Sequence, residues 1–278
     1  MIDLLVFTDL DGTLLDHHDY SCEDALPAIE RLASAGIPLI FNSSKTAAEI
    51  KQLRKALDNR HPYIIENGSA VCLAKGYFKS LGAPCAATAE DDEVHAFGPN
   101  YQELITQLHE LRSRTGYRFK GFFDLSPQDV ANLTGLSLSD ATRAKKRAAS
   151  EPLLWQDTEE SLSDFRCRLL DLNLYITKGG RFHHVMGPTD KAQAMQWLTD
   201  QYRATWPERQ WTTVALGDGP NDQAMLEAAD IAVPIQPAVG VALKLKRTEG
   251  VISPGALGPR GWQIAIDSIL DDMTNKGV

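Results

Sequence analysis

Thr8-Asp9-Leu10-Asp11-Gly12-Thr13 sets two carboxylates on either side of one leucine, directly behind the apolar run Ile2–Phe7. A carboxylate can attack an electrophile or ligate a hard cation. Asp9 and Asp11 on a turning backbone could therefore share one divalent ion while pointing at different parts of a substrate. Gly12 allows close backbone approach, and exposed amides beside it suit a phosphate oxygen. A lone Asp-x-Asp can equally be an Asx turn that ends a strand. Far along the chain, Leu216-Gly217-Asp218-Gly219-Pro220-Asn221-Asp222 forms a second oxygen-rich stretch after another apolar run. Asp218, Asn221 and Asp222 could complete an oxygen shell for Mg²⁺. Taken alone they describe a turn and a helix start, with Pro220 in the first helical position and Asp222 favoured by the dipole. Two smaller signals accompany them. Ser43-Ser44-Lys45 opens a helix, where a hydroxyl and free amides could hold a phosphate or simply cap the helix. Lys191 begins another helix with a charge opposed to the dipole, which favours a functional reason for it.

Loops so distant in sequence need a scaffold that gathers them. Ile2–Thr8, Ile37–Phe41 and Tyr63–Ile65 read as short buried strands, separated by helices whose apolar faces are Ala25, Ile29, Leu32 and Ile50, Leu53, Leu57. Gly36 ends the first helix, and Glu66-Asn67-Gly68 reads as a turn. The alternation resumes with a helix through Met195, Leu198 and Tyr202, strands Thr212–Leu216 and Ile231–Val233, and a closing helix from about Arg260 to Asp271. Strands alternating with helices imply a parallel sheet covered on both faces, with ligands beyond the carboxyl ends of its strands. Between about Gly82 and Met186 the texture changes to an α+β pattern. It contains helices Tyr101–Leu111 and Leu162–Leu169, strands Phe119–Phe123 and Leu153–Trp155, capped segments at Ser126 and Ser137, and a hairpin turning at Lys178-Gly179-Gly180. An inserted domain with both linkers on one side of the core accounts for this. Hinges are expected at Gly82 and Gly187.

The chain has 278 residues, 43% hydrophobic and 23% charged, with 28 Lys+Arg against 37 Asp+Glu, a net charge of −9. This is the composition of a globular protein, and its acidity argues against nucleic acid or an anionic membrane as the main partner. No apolar run is long enough to cross a membrane. Cys22, Cys72, Cys85 and Cys167 are scattered without CxxC spacing, which points to free thiols and a cytoplasmic location. Nothing in the sequence separates a monomer from a homodimer. Trp155, Trp197, Trp206, Trp211 and Trp262 are spread over several elements and read as packing groups, and His183 and His184 beside the glycine turn read as exposed.

The order Asp-x-Asp-Gly-Thr, Ser, Lys and Gly-Asp-Gly-x-Asn-Asp, each after an expected strand, resembles the haloacid dehalogenase superfamily of phosphatases. Within it the chain is most similar to the mannosyl-3-phosphoglycerate phosphatase family, through Phe41-Asn42-Ser43-Ser44-Lys45-Thr46, Glu66-Asn67-Gly68, Ser150-Glu151-Pro152 and Gly179-Gly180-Arg181-Phe182. The family's Arg-Glu before Ser-Glu-Pro is replaced here by Lys146-Arg147-Ala148-Ala149. The resemblance implies an α/β fold, with a Rossmann-like parallel-sheet core at 1–82 and 187–278 and an inserted α+β cap domain at 83–186. It implies Asp9 as nucleophile and Asp11 as general acid and base. Mg²⁺ would be held by the Asp9 carboxylate, the Asp11 carbonyl and Asp218. Gly12, Ser43, Ser44 and Lys191 would bind phosphate, and Asn221 and Asp222 would orient these groups. Glu66, Asn67, Arg147, Ser150 and Arg181 would meet the substrate, a small sugar phosphate or glycerate. Arg143, Lys145, Lys146 and Arg147, with Arg181, supply the cations for a glycerate carboxylate, although the basic stretch also fits a solvated helix face. Two other readings remain: a phosphomannomutase-like phosphoryl transferase, and a binding module without chemistry.

Overall fold

The computed structural model describes residues 2–79, 92–179 and 182–276. The first strand, β1 (Ile2–Thr8), alternates its apolar side chains between two layers. Leu4 and Val6 pack with α1 (Leu26–Ser34), while Leu5 and Phe7 face the opposite side of the sheet. Next come β2 (Leu39–Phe41), α2 (Ala47–Ala56), β3 (Tyr63–Ile65), β4 (Ala70–Ala74) and β5 (Asp92–Ala96). β2 starts two residues later than the apolar run suggests, because Pro38 has no N–H and contributes only its carbonyl, which accepts from Val6 at 3.0 Å. β4 and β5 were not anticipated. β5 pairs antiparallel with β4 although it lies beyond the expected boundary at residue 83.

The middle segment contains α3 (Tyr101–Thr115), β6 (Phe119–Gly121), α4 (Pro127–Thr134), α5 (Leu138–Ala144), β7 (Ser150–Trp155), α6 (Glu159–Asp171), β8 (Tyr175–Gly179) and β9 (Phe182–Met186). Ser126 and Ser137 cap α4 and α5 as expected. β6 stops at Gly121 rather than Phe123, because the Phe123 N–H turns to donate to the Glu151 side chain. β7 starts at Ser150 rather than Leu153, and the Pro152 carbonyl still accepts from Phe122. These strands form an antiparallel sheet in the order β6-β7-β9-β8. Leu104, Leu108, Phe119, Leu153, Phe165 and Val185 form a core of its own beneath α3 and α6. β9 is flanked on both sides, so His183 and His184 are buried rather than exposed. Trp155 stacks on Phe119 at 6.0 Å, a packing role.

The chain returns through α7 (Lys191–Thr205), β10 (Gln210–Gly217), α8 (Gln223–Ala228), β11 (Ile231–Pro234) and α9 (Gly258–Lys276). The parallel sheet has the order β11-β10-β1-β2, and a single bridge from Asn42 to Ile64 links β2 to the β3-β4-β5 ladder. α7 and α8 cover the Leu5–Phe7 face through Met195, Leu198, Met225 and Leu226. α9 joins α1 on the other face through Trp262, Ile266 and Ile269. Strand order reverses at β1: the chain first builds outward through β2, then returns to the other side with β10. A crevice opens where such reversals occur, at the carboxyl ends of the strands. Among the described residues no helix is long and apolar enough to cross a membrane.

Candidate active site

β1, β2 and β10 run parallel, so the loops that follow Thr8, Phe41 and Gly217 emerge on the same edge of the sheet. The Asp9 N–H donates to the Leu216 carbonyl at 2.9 Å, which extends the β1–β10 ladder into the crevice and fixes Asp9 opposite the second acidic loop. Thr8 supports the turn: its hydroxyl donates to the Asp9 carbonyl at 2.7 Å and accepts from the Trp262 indole at 3.0 Å. Gly12, at φ +81°, touches Asp218 so closely that a Cβ there would lie 2.6 Å from Oδ2. No side chain fits between the two loops, and Thr13 donates to Asp218 Oδ1 at 3.0 Å.

Lys191 reaches this point from the start of α7. The Asn42 side-chain amide donates to the Lys191 carbonyl at 3.0 Å, so the second loop holds the base of the lysine in place. Its fully buried ammonium donates to Asp9 Oδ1 at 2.5 Å and to Asp222 Oδ1 at 2.6 Å. Burial opposes the charge, yet Asp222 and Asp9 more than offset that and hold the ammonium above its usual range. The other oxygen of Asp222 accepts from the backbone amides of Asp218 at 3.1 Å and Gly219 at 2.9 Å. One carboxylate oxygen from each of Asp9, Asp218 and Asp222 lies within 4.8 Å of the other two. Burial, then the charges of Asp9 and Asp222, push the Asp218 carboxyl up to about 7. Three carboxylates against one ammonium leave negative charge uncompensated, and an all-oxygen donor set of this kind suits a hard divalent cation.

A family model described as haloacid dehalogenase-like hydrolase matches residues 6–82. A curated glucosyl-3-phosphoglycerate/mannosyl-3-phosphoglycerate phosphatase from Methanococcoides burtonii is 36% identical over 277 residues, covering 98% of each chain. One of the same name from Persephonella marina is 34% identical over 275 residues, covering 97% of this chain and 98% of its own. The chain belongs to the haloacid dehalogenase-like hydrolase family. Solved structures agree on the fold. A Thermoplasma acidophilum protein matches with TM-score 0.64 at 18% identity, covering 96% of this chain and 98% of its own. A Thermotoga maritima protein matches with TM-score 0.64 at 21% identity, covering 96% and 97%.

The remaining residues singled out in the sequence of this hydrolase fall into two groups. Ser43 lies buried behind β2, its hydroxyl accepting from the Lys45 N–H at 3.2 Å. Asn221 donates to Asn67 Oδ1 at 3.1 Å, and both line a cleft of about 270 Å³ together with Lys191 and Tyr175. The second group is engaged with itself. Glu66 and Asn67 occupy the left-handed region at φ +53° and +59°, which aims the Glu66 carboxylate away from the core and at the residues preceding β7. That carboxylate accepts from the amides of Ala148 at 2.7 Å and Ala149 at 3.2 Å and from the Ser150 hydroxyl at 2.8 Å. Arg147 pairs with it at 3.4 Å and also donates to Ser150 Oγ at 2.6 Å and, at 3.5 Å, to the Ser44 carbonyl. Glu66, Arg147 and Ser150 thus satisfy one another across the junction between the parallel sheet and the inserted elements. Lys145 is capped by the carbonyls of Phe122 and Leu125, and Arg143 pairs with Asp140. Arg181 and Gly82 lie outside the described residues.

Lys45 received no role from the sequence. Its ammonium sits 2.8 Å from Asp11 Oδ1, and the Asp11 side chain turns toward it rather than into the Lys191 cluster. The only sign in the sequence was its place beside Ser43-Ser44 at a strand end, where a cation meets whatever the crevice binds. Gly187 packs directly on Gly98, whose Cβ would lie 2.7 Å from the Gly187 Cα.

Proposed function

We propose that the chain is a Mg²⁺-dependent phosphatase that hydrolyses a hexosyl-3-phosphoglycerate, mannosyl-3-phosphoglycerate in the first instance, through an aspartyl-phosphate on Asp9. The observation that carries this reading is the convergence of Asp9, Lys191 and the pair Asp218 and Asp222 from three separate segments onto one point. Relatives sharing about a third of their residues over nearly the full length carry that phosphatase name, which supports the substrate class.

Asp9 attacks phosphorus with the carboxylate oxygen that faces the crevice. As the bond from oxygen to phosphorus forms, the ester bond opposite it breaks, and Asp11 gives its proton to the departing oxygen. Water then attacks the aspartyl-phosphate, Asp11 takes the water proton, and phosphate leaves with Asp9 restored. The Lys191 ammonium, held by Asp222, faces the phosphoryl oxygens, and Ser43 with the amides after β2 meets the others. The carboxylates of Asp9 and Asp218, with the Asp11 carbonyl, would hold Mg²⁺, because both oxygens of Asp222 are already taken by Lys191 and two backbone amides. When bound, the ion supplies positive charge that offsets the repulsion between an anionic nucleophile and an anionic phosphate.

The inserted elements act as the cap in this reading. Pairing of β5 with β4 and the contact between Gly98 and Gly187 favour linkers at 97–100 and 187–190 over a boundary at 83. Free thiols at Cys22, Cys72 and Cys167 support a cytoplasmic location. The test is phosphate release from a panel of phosphorylated sugars and glycerates, with and without Mg²⁺. The hexosyl-3-phosphoglycerates are expected to rank first by kcat/KM, and a panel with no turnover at all would remove the proposal.

A further inference from the structure

A second cleft of about 650 Å³, lined by none of the residues of the Lys191 cluster, opens between α2 and the α4–α5 segment. Its apolar wall is Leu15, Ile50 and Leu53, and its polar groups include Tyr20, Lys45, Asp140 and Arg143. Lys45 stands where this cleft meets the catalytic loop. Its Nζ lies 2.8 Å from Asp11 Oδ1 and 5.2 Å from the centre of the Tyr20 ring, and its side chain is only 19% exposed. The backbone beneath it is anchored twice, by the Ser43 hydroxyl accepting its N–H at 3.2 Å and by its carbonyl accepting from Glu66 at 3.0 Å. The backbone fixes where the side chain starts, and the contacts with Asp11 and the Tyr20 ring place the ammonium against the carboxylate assigned to protonate the leaving oxygen.

The other described cations that the sequence offers to a leaving-group carboxylate are committed or remote. Arg147 is bound to Glu66 and Ser150, Lys145 to two carbonyls, and Arg143 to Asp140, while Lys146 is exposed. Lys45 pairs instead with a half-exposed carboxylate that must itself turn toward the departing oxygen. An ammonium has three donors, and a second carboxylate in the cleft can take one of them or replace Asp11.

We propose that Lys45 is the carboxylate-recognition group of this site: a leaving group that carries a carboxylate takes over the Lys45 ammonium and releases Asp11 to face the leaving oxygen. The inference rests on the phosphatase reading and deepens it by naming how a phosphoglycerate would be told from a neutral phosphate ester. Lys45 then acts on binding and on the position of Asp11 together, so discrimination should appear in both KM and kcat.

The experiment compares kcat/KM for 3-phosphoglycerate and glycerol 3-phosphate, esters that differ at the carboxylate, in the wild type and in Lys45→Met, Lys45→Gln and Lys45→Arg. The wild type is expected to prefer the carboxylate ester at least tenfold. Lys45→Met and Lys45→Gln should reduce that preference to within about twofold, and Lys45→Arg should restore much of it, a pattern that general loss of structure does not produce. A wild-type ratio near one overturns the inference before any variant is made, and so does a ratio that survives in either uncharged variant. Phosphate release from no ester at all would instead remove the phosphatase reading, and the inference with it.

Discussion

Two buried charged clusters in this protein differ in one respect. At Asp9, Asp218, Asp222 and Lys191, three carboxylates cluster around one ammonium that touches only Asp9 and Asp222. At the junction, the single Glu66 carboxylate faces the Arg147 guanidinium, two amides and a hydroxyl, so its charge and its lone pairs are both matched. Burial of unmatched charge is expensive and persists only where something else supplies the missing sign. In the proposed reading the first cluster receives a cation and a reacting group. The second holds two parts of the molecule together. Residues that looked equally functional in the sequence separate by charge balance once their partners are visible.

If that contrast is right, equivalent changes in the two clusters have different signatures. Asp9→Asn should lower phosphate release at least about 10³-fold with the fold retained, because the proposed nucleophile is lost while its volume stays. Substantial residual turnover in that variant would break the assignment at its root. Glu66→Ala should act mainly on stability, by about 3–5 kcal/mol, because the Arg147 side chain is left charged and buried without its carboxylate. Denaturant unfolding measures this, and a loss below about 1 kcal/mol would mean that the junction is solvated in solution and holds little.

What the sequence revealed follows the same division. Asp9, Asp218 and Lys191 were legible because each follows or opens an element whose apolar pattern is unbroken, and parallel strands must deliver their ends to one edge. β1, β3 and β10 are buried runs, so their hydrophobicity alone announced them. β5 did not announce itself: Asp92-Glu93-Val94-His95-Ala96 is an exposed edge strand with no apolar face, and only its pairing with β4 defines it. The meeting of Glu66 with Arg147 depends on two left-handed residues and on how the inserted sheet docks, neither of which leaves a periodic mark. The burial of His183 and His184 depends on β9 lying between β7 and β8, a matter of strand order. The pairing of Lys45 with Asp11 likewise needs two loops set side by side.

Glu151 extends the comparison to pH. It follows Ser150 at the junction, accepts from the Tyr101 hydroxyl at 2.7 Å and the Phe123 amide at 2.8 Å, and burial pushes its carboxyl up to about 7. The raised value means that the folded state binds the proton more tightly than the unfolded chain, whose value is near 4.5. Stability is then greatest below about pH 4.5 as far as this group is concerned, and falls as pH rises toward 7, by about 3 kcal/mol in total. Glu151→Gln should remove that slope, so unfolding free energies of the two proteins should lie close below about pH 4.5, part in favour of the variant between about pH 4.5 and 7, and keep a constant gap above that. Parallel curves would show that Glu151 ionises freely.

The smallest expected effect bears most directly on the contrast itself. A cluster short of positive charge should be stabilised by a divalent cation, and a balanced one should not. Mg²⁺ at a hundredfold excess over its dissociation constant should add about 2.7 kcal/mol to the unfolding free energy by mass action, read as a rise in Tm. Asp218→Asn should abolish that rise, because it removes an oxygen charge from the cluster without touching Lys191 or the junction. Glu66→Gln should leave the rise intact even though the protein starts from a lower Tm. Equal Mg²⁺ responses in both variants would mean that the ion binds somewhere other than the acidic cluster, and that charge imbalance does not distinguish the two sites.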